Sequence, residues 1–290
     1  MKNTYNYHIM VTKMRRFFQS KGFIEVPAQS RVSILAACED PFTITNYQLG
    51  GVNYPLPQTG QMWLEYELLT NPQWPGVYTI TTSYRDEPNP IEGRHLRIFP
   101  MFEFESHGGL DELRKLELEL LEFFGFNEPV SIEYQPTAQR YETQTIESHH
   151  ETELERELGS SILLEQFPHH TDPFWNMKYR GDGLYNKIDV ILCGQETIGS
   201  AERETDVAFM RDRFFTIKDG RYCQKLFSDF GKERVMHELD AYFTLPMIQR
   251  FGGGIGVTRL ERAMTLCGLF DSDVPFAQSS TQQANPSIYF

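Results

Sequence analysis

Residues 81–105, TTSYRDEPNPIEGRHLRIFPMFEFE, read as two strands joined by a long loop. The first strand ends in Tyr84-Arg85-Asp86-Glu87, and the loop carries the turn formers Pro88, Asn89, Pro90 and Gly93. The second strand runs from Phe99 to Glu105. Alternation along it sets Glu103 and Glu105 on one face of a sheet and Phe102 and Phe104 on the other. Long loops inside compact domains tend to be functional. An arginine at the strand end, a basic loop tip (Arg94, His95, Arg97) and acceptors on the return strand together suit a polyphosphate. Guanidinium groups hold phosphate oxygens bidentately, and a ring such as Phe99 can lie flat against a purine. The plainer alternative is a hairpin with a solvated charged loop.

Arg-x-Glu, a loop with Arg-His-Leu, then Phe-x-x-x-(Asp/Glu)-x-Glu resembles motif 2 of class II aminoacyl-tRNA synthetases, most closely the aspartyl/asparaginyl subgroup. The resemblance implies that Arg85 holds the α-phosphate of ATP and the amino-acid carboxylate. It implies that Glu87 reads the adenine amino group and that Phe99 stacks on the ring. It also sets Arg94, His95 and Leu96 against ATP, and Glu103 against the amino acid.

The rest of the chain extends the pattern. Met10, Met14, Phe17 and Phe18 have helical spacing, with Gly22 as a stop signal. The strand entry GFIEVPAQS follows, and together they resemble motif 1, which in the family builds the homodimer interface. Glu39 lies where related enzymes contact the substrate's α-amino group; an exposed loop carboxylate is the alternative. Thr59-Gly60-Gln61 resembles the family's Ser/Thr-Gly-Gln turn, whose Gln touches the amino acid. Aspartyl enzymes place a Lys soon after it, and here no Lys or Arg occurs between Gln61 and Arg85. Gln61-Met62-Trp63-Leu64-Glu65 instead resembles the asparaginyl pattern Gln-Leu-x-x-Glu. A Glu65 facing the side-chain pocket would accept a hydrogen bond from an amide and repel a carboxylate. Otherwise Glu65 is an exposed helix residue.

From Asp111, Leu113, Leu116, Leu120 and Phe124 predict one apolar helix face, closed by Gly125. The pairs His149-His150 and His169-His170 lack metal-site spacing and read as loop residues; ETELEREL reads as a short charged helix. Ile188 to Leu192 is a short apolar strand carrying Asp189, followed by CGQETIGSAERETD. The order Asp189, Gly194-x-Glu196, Gly199-Ser200-x-x-Arg203 resembles the aspartyl/asparaginyl pattern. Two carboxylates facing a polyphosphate suit Mg²⁺, which takes hard oxygens and completes its shell with phosphate and water. By resemblance Asp189 and Glu196 hold the metal, Glu196 also meets ATP, Ser200 lines the amino-acid site, and Arg203 reads the side-chain oxygen of Asp or Asn. Buried structural carboxylates are the alternative. Gly252-x-Gly254-x-Gly256-x-x-Arg259 resembles motif 3, in which Gly254 and Gly256 admit the nucleotide and Arg259 holds its γ-phosphate. It is not a P-loop, because no Gly-Lys-Ser/Thr follows.

Composition bounds the reading. The chain has 290 residues, with 27 Lys+Arg against 40 Asp+Glu, so the net charge is 27 − 40 = −13. So acidic a surface argues against general nucleic-acid binding. Four dispersed cysteines (Cys38, Cys193, Cys223, Cys267) suggest reduced core thiols in a cytoplasmic protein. No secretory signal or membrane-length apolar run is present.

The resemblance implies an α+β fold: an antiparallel sheet flanked by helices, a single catalytic domain over residues 1–278 with a tail at 279–290, and a homodimer. The partners it implies are ATP, Mg²⁺ and an amino acid. Arg85 and Arg259 would be the catalytic groups, stabilising attack of a carboxylate on the α-phosphorus to give an acyl-adenylate. Aspartyl and asparaginyl synthetases carry an N-terminal anticodon-binding domain, whereas here the catalytic sequence starts at the N-terminus. That resembles the archaeal asparagine synthetases, in which ammonia attacks aspartyl-adenylate. The rivals are transfer of Asn, Asp or a related acid to a tRNA, peptide or amine, and a silent binding paralogue.

Overall fold

The apolar spacing from Met10 to Phe18 forms helix α1 (Thr4–Ser20), whose N-cap Asn3 accepts a hydrogen bond from the Tyr5 amide. In this computed structural model, residues 3–28, 40–92 and 94–270 are described. The strands are β1 (Ile24–Glu25), β2 (Asn46–Leu49), β3 (Val52–Pro55), β4 (Gly76–Tyr84), β5 (Ile98–His107), β6 (Val130–Glu133), β7 (Ser161–Pro168), β8 (Leu184–Leu192), β9 (Gln195–Glu202) and β10 (Arg250–Gly256). The other helices are α2 (Gln61–Thr70), α3 (Leu110–Phe124), α4 (Tyr134–Arg140), α5 (Ser148–Leu158), α6 (Val207–Thr216), α7 (Arg221–Phe230), α8 (Lys232–Phe243) and α9 (Val257–Leu266).

Eight strands form one sheet in the order β1-β4-β5-β10-β9-β8-β7-β6, and β2-β3 is a separate hairpin. The interior pairs are antiparallel; only β1 with β4 and β6 with β7, at the two edges, run parallel. This is the expected α+β architecture. The last strand, β10, inserts between β5 and β9, so the two glycine- and glutamate-bearing motifs become neighbours although well over a hundred residues separate them.

The two faces of the sheet differ. Phe102 and Phe104 of β5 are fully buried with Phe18, Leu113, Leu120, Leu260 and Met264, so α1, α3 and α9 cover one face. Burial of such side chains stabilises by roughly 1.5–3 kcal/mol each. Helix α3 ends as expected at Gly125, whose φ of 90° is left-handed and costs least in glycine. A second apolar cluster gathers Trp175, Phe214, Leu226, Leu239 and Tyr242 from α6, α7, α8 and the segment before β8. It stands on the other side and walls one end of the site. Cys193 and Cys223 are buried free thiols, as expected. The histidine pairs are not in loops: His149 and His150 lie in α5, and His169 and His170 in a short 3-10 turn.

Candidate active site

Register places Thr79, Glu103, Gly254, Gly199 and Asp189 opposite one another across β4, β5, β10, β9 and β8. Register partners share a face of the sheet, here the one that α1, α3 and α9 do not cover. A cavity of about 840 Å³ opens over it, and the glycines of β10 form part of the floor. At Gly252 the backbone must lie bare. A Cβ there would stand 2.5 Å from the Phe104 carbonyl oxygen and 1.8 Å from Glu105 Oε2.

The β4–β5 hairpin supplies one wall. Arg85, Glu87, Arg94, His95, Leu96 and Phe99 all line the cavity. The Arg85 guanidinium lies 5.6 Å from the centre of the Phe99 ring, within cation–π range. His95 Nδ1 stands 2.8 Å from Glu87 Oε2. Arg94 Nη2 donates to Glu151 Oε2 at 2.6 Å and to the Gly194 carbonyl at 3.0 Å, which pins the loop to α5 and the β8–β9 turn. Glu103 also lines the cavity, but its carboxylate is engaged by the protein. It accepts from the Gly60 amide at 2.9 Å, from Thr81 Oγ1 at 2.5 Å and from Thr59 Oγ1. Burial pushes its pKa up, while those donors and Arg85 pull it back. Glu103 thus fixes the Thr59-Gly60-Gln61 turn from which α2 starts.

At one end, Gln61 and Arg203 line the cavity. Arg203 donates from Nε to Glu105 Oε1 at 3.2 Å and from Nη2 to Glu105 Oε2 at 3.3 Å. Gln61 Nε2 donates to Glu105 and to the Phe104 carbonyl. Glu65 does not line the cavity and is not an exposed helix residue either. It is fully buried behind the wall. It accepts from Arg250 Nη2 at 2.6 Å, Asn176 Nδ2 at 2.6 Å and Tyr242 Oη at 2.7 Å. Its oxygens are taken up by groups from β10, α8 and the segment before β8, so Glu65 is held by the protein and not presented to the cavity. Two carboxylates and two guanidinium groups (Glu65, Glu105, Arg203, Arg250) form a buried, charge-balanced network. Burial raises the Glu105 pKa to about 7, with Arg203 opposing and Glu65 adding to the rise.

At the opposite end, Arg259 of α9 lines the cavity and donates from Nη1 to the Glu196 carbonyl oxygen at 2.7 Å. Asp189 and Glu196 come together through an irregularity. The β8–β9 register slips between Val190 and Ile191, so that Val190 faces Ile198 but Ile191 faces Glu196. Strict alternation from Gly199 would send Glu196 to the helix-covered face. The bulge turns it back, as bulges beside functional sites do. A Cβ placed on Gly199 would lie 3.0 Å from Glu196 Oε1 and 3.7 Å from Asp189 Oδ1, so both carboxylates converge above that glycine. Converging hard oxygens fit Mg²⁺. Lys187 Nζ lies 2.5 Å from Asp189 Oδ1. Burial lifts Asp189 to about pKa 7 against the pull of Lys187, with Glu196 adding to the rise. Burial also acts on Glu196, but Arg259, Lys187 and Arg85 outweigh it and its pKa is lowered. No group of three or more His, Cys, Asp or Glu side chains forms a metal cage among the described residues.

Ser200 departs from expectation. It pairs with Gly253 and Ile188 in the row next to Gly199, which puts its side chain on the helix-covered face. Its hydroxyl is 2.7 Å from Glu117 Oε1 of α3 and 3.1 Å from the Ile188 carbonyl. Ser200 therefore borders the cavity without aiming its hydroxyl at an amino acid. Glu39 lies outside the described residues. Gly254 and Gly256 line the cavity. Sequence reasoning missed Lys187, Glu151, Asn176, Tyr242 and Arg250. Only Lys187 had a local signal, since it shares a strand face with Asp189 two residues on.

The family described as tRNA synthetases class II (D, K and N) matches residues 2–270. No curated protein matches the chain. Among solved structures it is similar to asparaginyl-tRNA synthetase from Pyrococcus horikoshii complexed with asparaginyl-adenylate, with TM-score 0.73 and 20% identity over 90% of this chain and 64% of that one. It is similar to Entamoeba histolytica asparaginyl-tRNA synthetase in complex with asparaginyl-adenylate, with TM-score 0.70 and 16% identity over 91% and 63%. It is also similar to aspartyl-tRNA synthetase from Entamoeba histolytica, with TM-score 0.69 and 16% identity over 90% and 54%. The chain thus spans 54 to 64% of the length of these proteins. At such identities the likeness is one of fold.

Proposed function

The chain belongs to the class II tRNA synthetases of the D, K and N group, and from that premise we propose that it activates an amino acid of the Asp/Asn type with ATP. The amino-acid carboxylate attacks the α-phosphorus, the bond to the β-phosphate bridging oxygen breaks, and acyl-adenylate and pyrophosphate form. One observation carries the reading: Arg85 and Arg259 line the same cavity as Glu196, over a sheet face where glycine replaces side chains. Guanidinium groups placed beforehand stabilise charge as it develops on the phosphates, and no protein nucleophile is required. Asp189 and Glu196 would hold Mg²⁺, which supplies charge neutralisation to the polyphosphate when bound. Phe99 offers a stacking surface for adenine, and Arg203 faces the side chain of the acid.

In the finer reading, aspartyl-adenylate meets ammonia and gives asparagine, on a homodimer. A second reading is favoured by Glu105. Its two oxygens engage Arg203, and no Lys follows Gln61, so the side-chain end carries no surplus positive charge for a carboxylate. That supports activation of asparagine or a related neutral acid and its transfer to another acceptor.

Amino-acid-dependent ATP–pyrophosphate exchange with Asp and Asn tests both, with Arg85→Ala and Arg259→Ala as controls that should abolish exchange in a folded protein. Exchange with Asp, and asparagine on adding ammonia, supports the finer reading. Exchange with Asn alone supports the second. Exchange that survives in either variant removes the site assignment.

A further inference from the structure

Helix α5 lies outside all three motifs, yet one of its carboxylates holds two parts of the site together. Glu151 Oε2 accepts from Arg94 Nη2 at 2.6 Å and from the backbone amide of Glu196 at 3.0 Å. The same Arg94 donates to the Gly194 carbonyl at 3.0 Å and to Thr152 Oγ1 at 3.3 Å. Gln195 Nε2 closes the contact on the Arg94 carbonyl at 3.3 Å. Arg94 lines the cavity and Glu151 does not. The guanidinium is therefore gripped from behind. A guanidinium carries five N–H donors. Three of them point at Glu151, Thr152 and Gly194. Nε–H and one Nη1–H have no protein acceptor among the described residues and remain for a ligand.

The charge arrangement agrees. Glu151 is largely buried beside Glu196, which on its own would be repulsive, and Arg94 offsets it. Without Glu151, Arg94 would keep the Gly194 carbonyl and Thr152 hydroxyl but lose its charged anchor, and would have more rotamer freedom to give up on meeting a phosphate. With it, the cation is already ordered, and the strand start bearing Glu196 is tied to the same oxygen. Preorganisation of this kind shows in binding rather than in new contacts.

We propose that Glu151 is a positioning residue for the nucleotide: it holds Arg94 and the Glu196 backbone in register so that the cavity accepts the polyphosphate of ATP. The inference rests on the adenylation reading and deepens it.

A double-mutant cycle tests it, with Mg·ATP binding measured by titration calorimetry on the intact chain. Glu151→Ala and Arg94→Ala should each weaken ATP binding about tenfold to a hundredfold, the scale of one charge-assisted contact. The double variant should lose much less than the sum of the two single losses, because most of the effect of Glu151 passes through Arg94 and only its bond to the Glu196 amide does not. Glu151→Gln, which keeps an acceptor oxygen, should retain more affinity than Glu151→Ala. In exchange assays the KM for ATP should rise while that for the amino acid stays put, a split that general loosening of the fold would not produce. Losses that simply add in the double variant overturn the proposal, as does wild-type affinity in a folded Glu151→Ala. Failure of the wild-type protein to bind Mg·ATP overturns the adenylation reading, and the proposal with it.

Discussion

Glu117→Gln should make the protein more stable at alkaline pH and leave it nearly unchanged at pH 5. Glu117 sits in α3 with no exposed surface, and its Oε2 has no hydrogen-bond partner among the described residues, while Oε1 faces the Ser200 hydroxyl. Burial raises its pKa from 4.5 to about 8; the Ser200 hydrogen bond opposes this, and Asp189 and Glu165 add to it. The native state therefore binds a proton that the unfolded chain releases at ordinary glutamate pH. Stability contributed by that proton is fully present below 4.5 and is lost as the pH rises through the window up to about 8. At 1.36 kcal/mol per pH unit, the window sets a ceiling of about 5 kcal/mol. Relaxation and water entry around the ionised acid reduce it, so about 1–3 kcal/mol is expected at pH 8.5. Glutamine copies the shape of the protonated acid and never ionises. Urea denaturation of both proteins at pH 5.0, 7.0 and 8.5 gives the comparison through the midpoint and slope. The gap should open between pH 5 and 8.5. Parallel stability curves across that range would falsify the assignment of a protonated Glu117.

Two further outcomes follow from the packing. Arg250→Met should destabilise by about 3–5 kcal/mol in thermal or urea denaturation, because it leaves the two buried carboxylates Glu65 and Glu105 to share the single guanidinium of Arg203; a change below about 1 kcal/mol would show that the network is not charged as drawn. Gly252→Ala should cost about 1–3 kcal/mol and weaken Mg·ATP binding, because its Cβ meets the Phe104 carbonyl, which cannot rotate away as a side chain can; unchanged stability and binding would mean that β5 and β10 are not so closely paired.

Much of this was legible locally. The alternation Phe102, Glu103, Phe104, Glu105 placed rings in the core and carboxylates toward the cavity, because a strand repeats every two residues. The spacing of Met10, Met14, Phe17 and Phe18, and of Leu113 to Phe124, marked α1 and α3 for the same kind of reason, a period of 3.6. The motif glycines and Arg85, Phe99 and Arg259 were recognisable because each type is required by its own short neighbourhood. The side to which a side chain turns, and what it meets there, was not.

Glu65 was readable as a pocket carboxylate until the fold brought Arg250, Tyr242 and Asn176 against it from distant positions. Ser200 looked like a substrate contact until strand register put it on the Glu117 side of the sheet. The bulge at Glu196 worked in the opposite sense and turned a residue of the wrong parity into the cavity. The sequence by itself determined the strand and helix faces and the three motifs, since those depend on periodicity and residue type within a few positions, and the resemblance those motifs carry implied the sheet-and-helix architecture and the residues of the hairpin wall. Tertiary structure alone decided which carboxylates are free for a ligand and which are already paired, because a buried charge is set by whatever partner the fold delivers to it, from any distance along the chain.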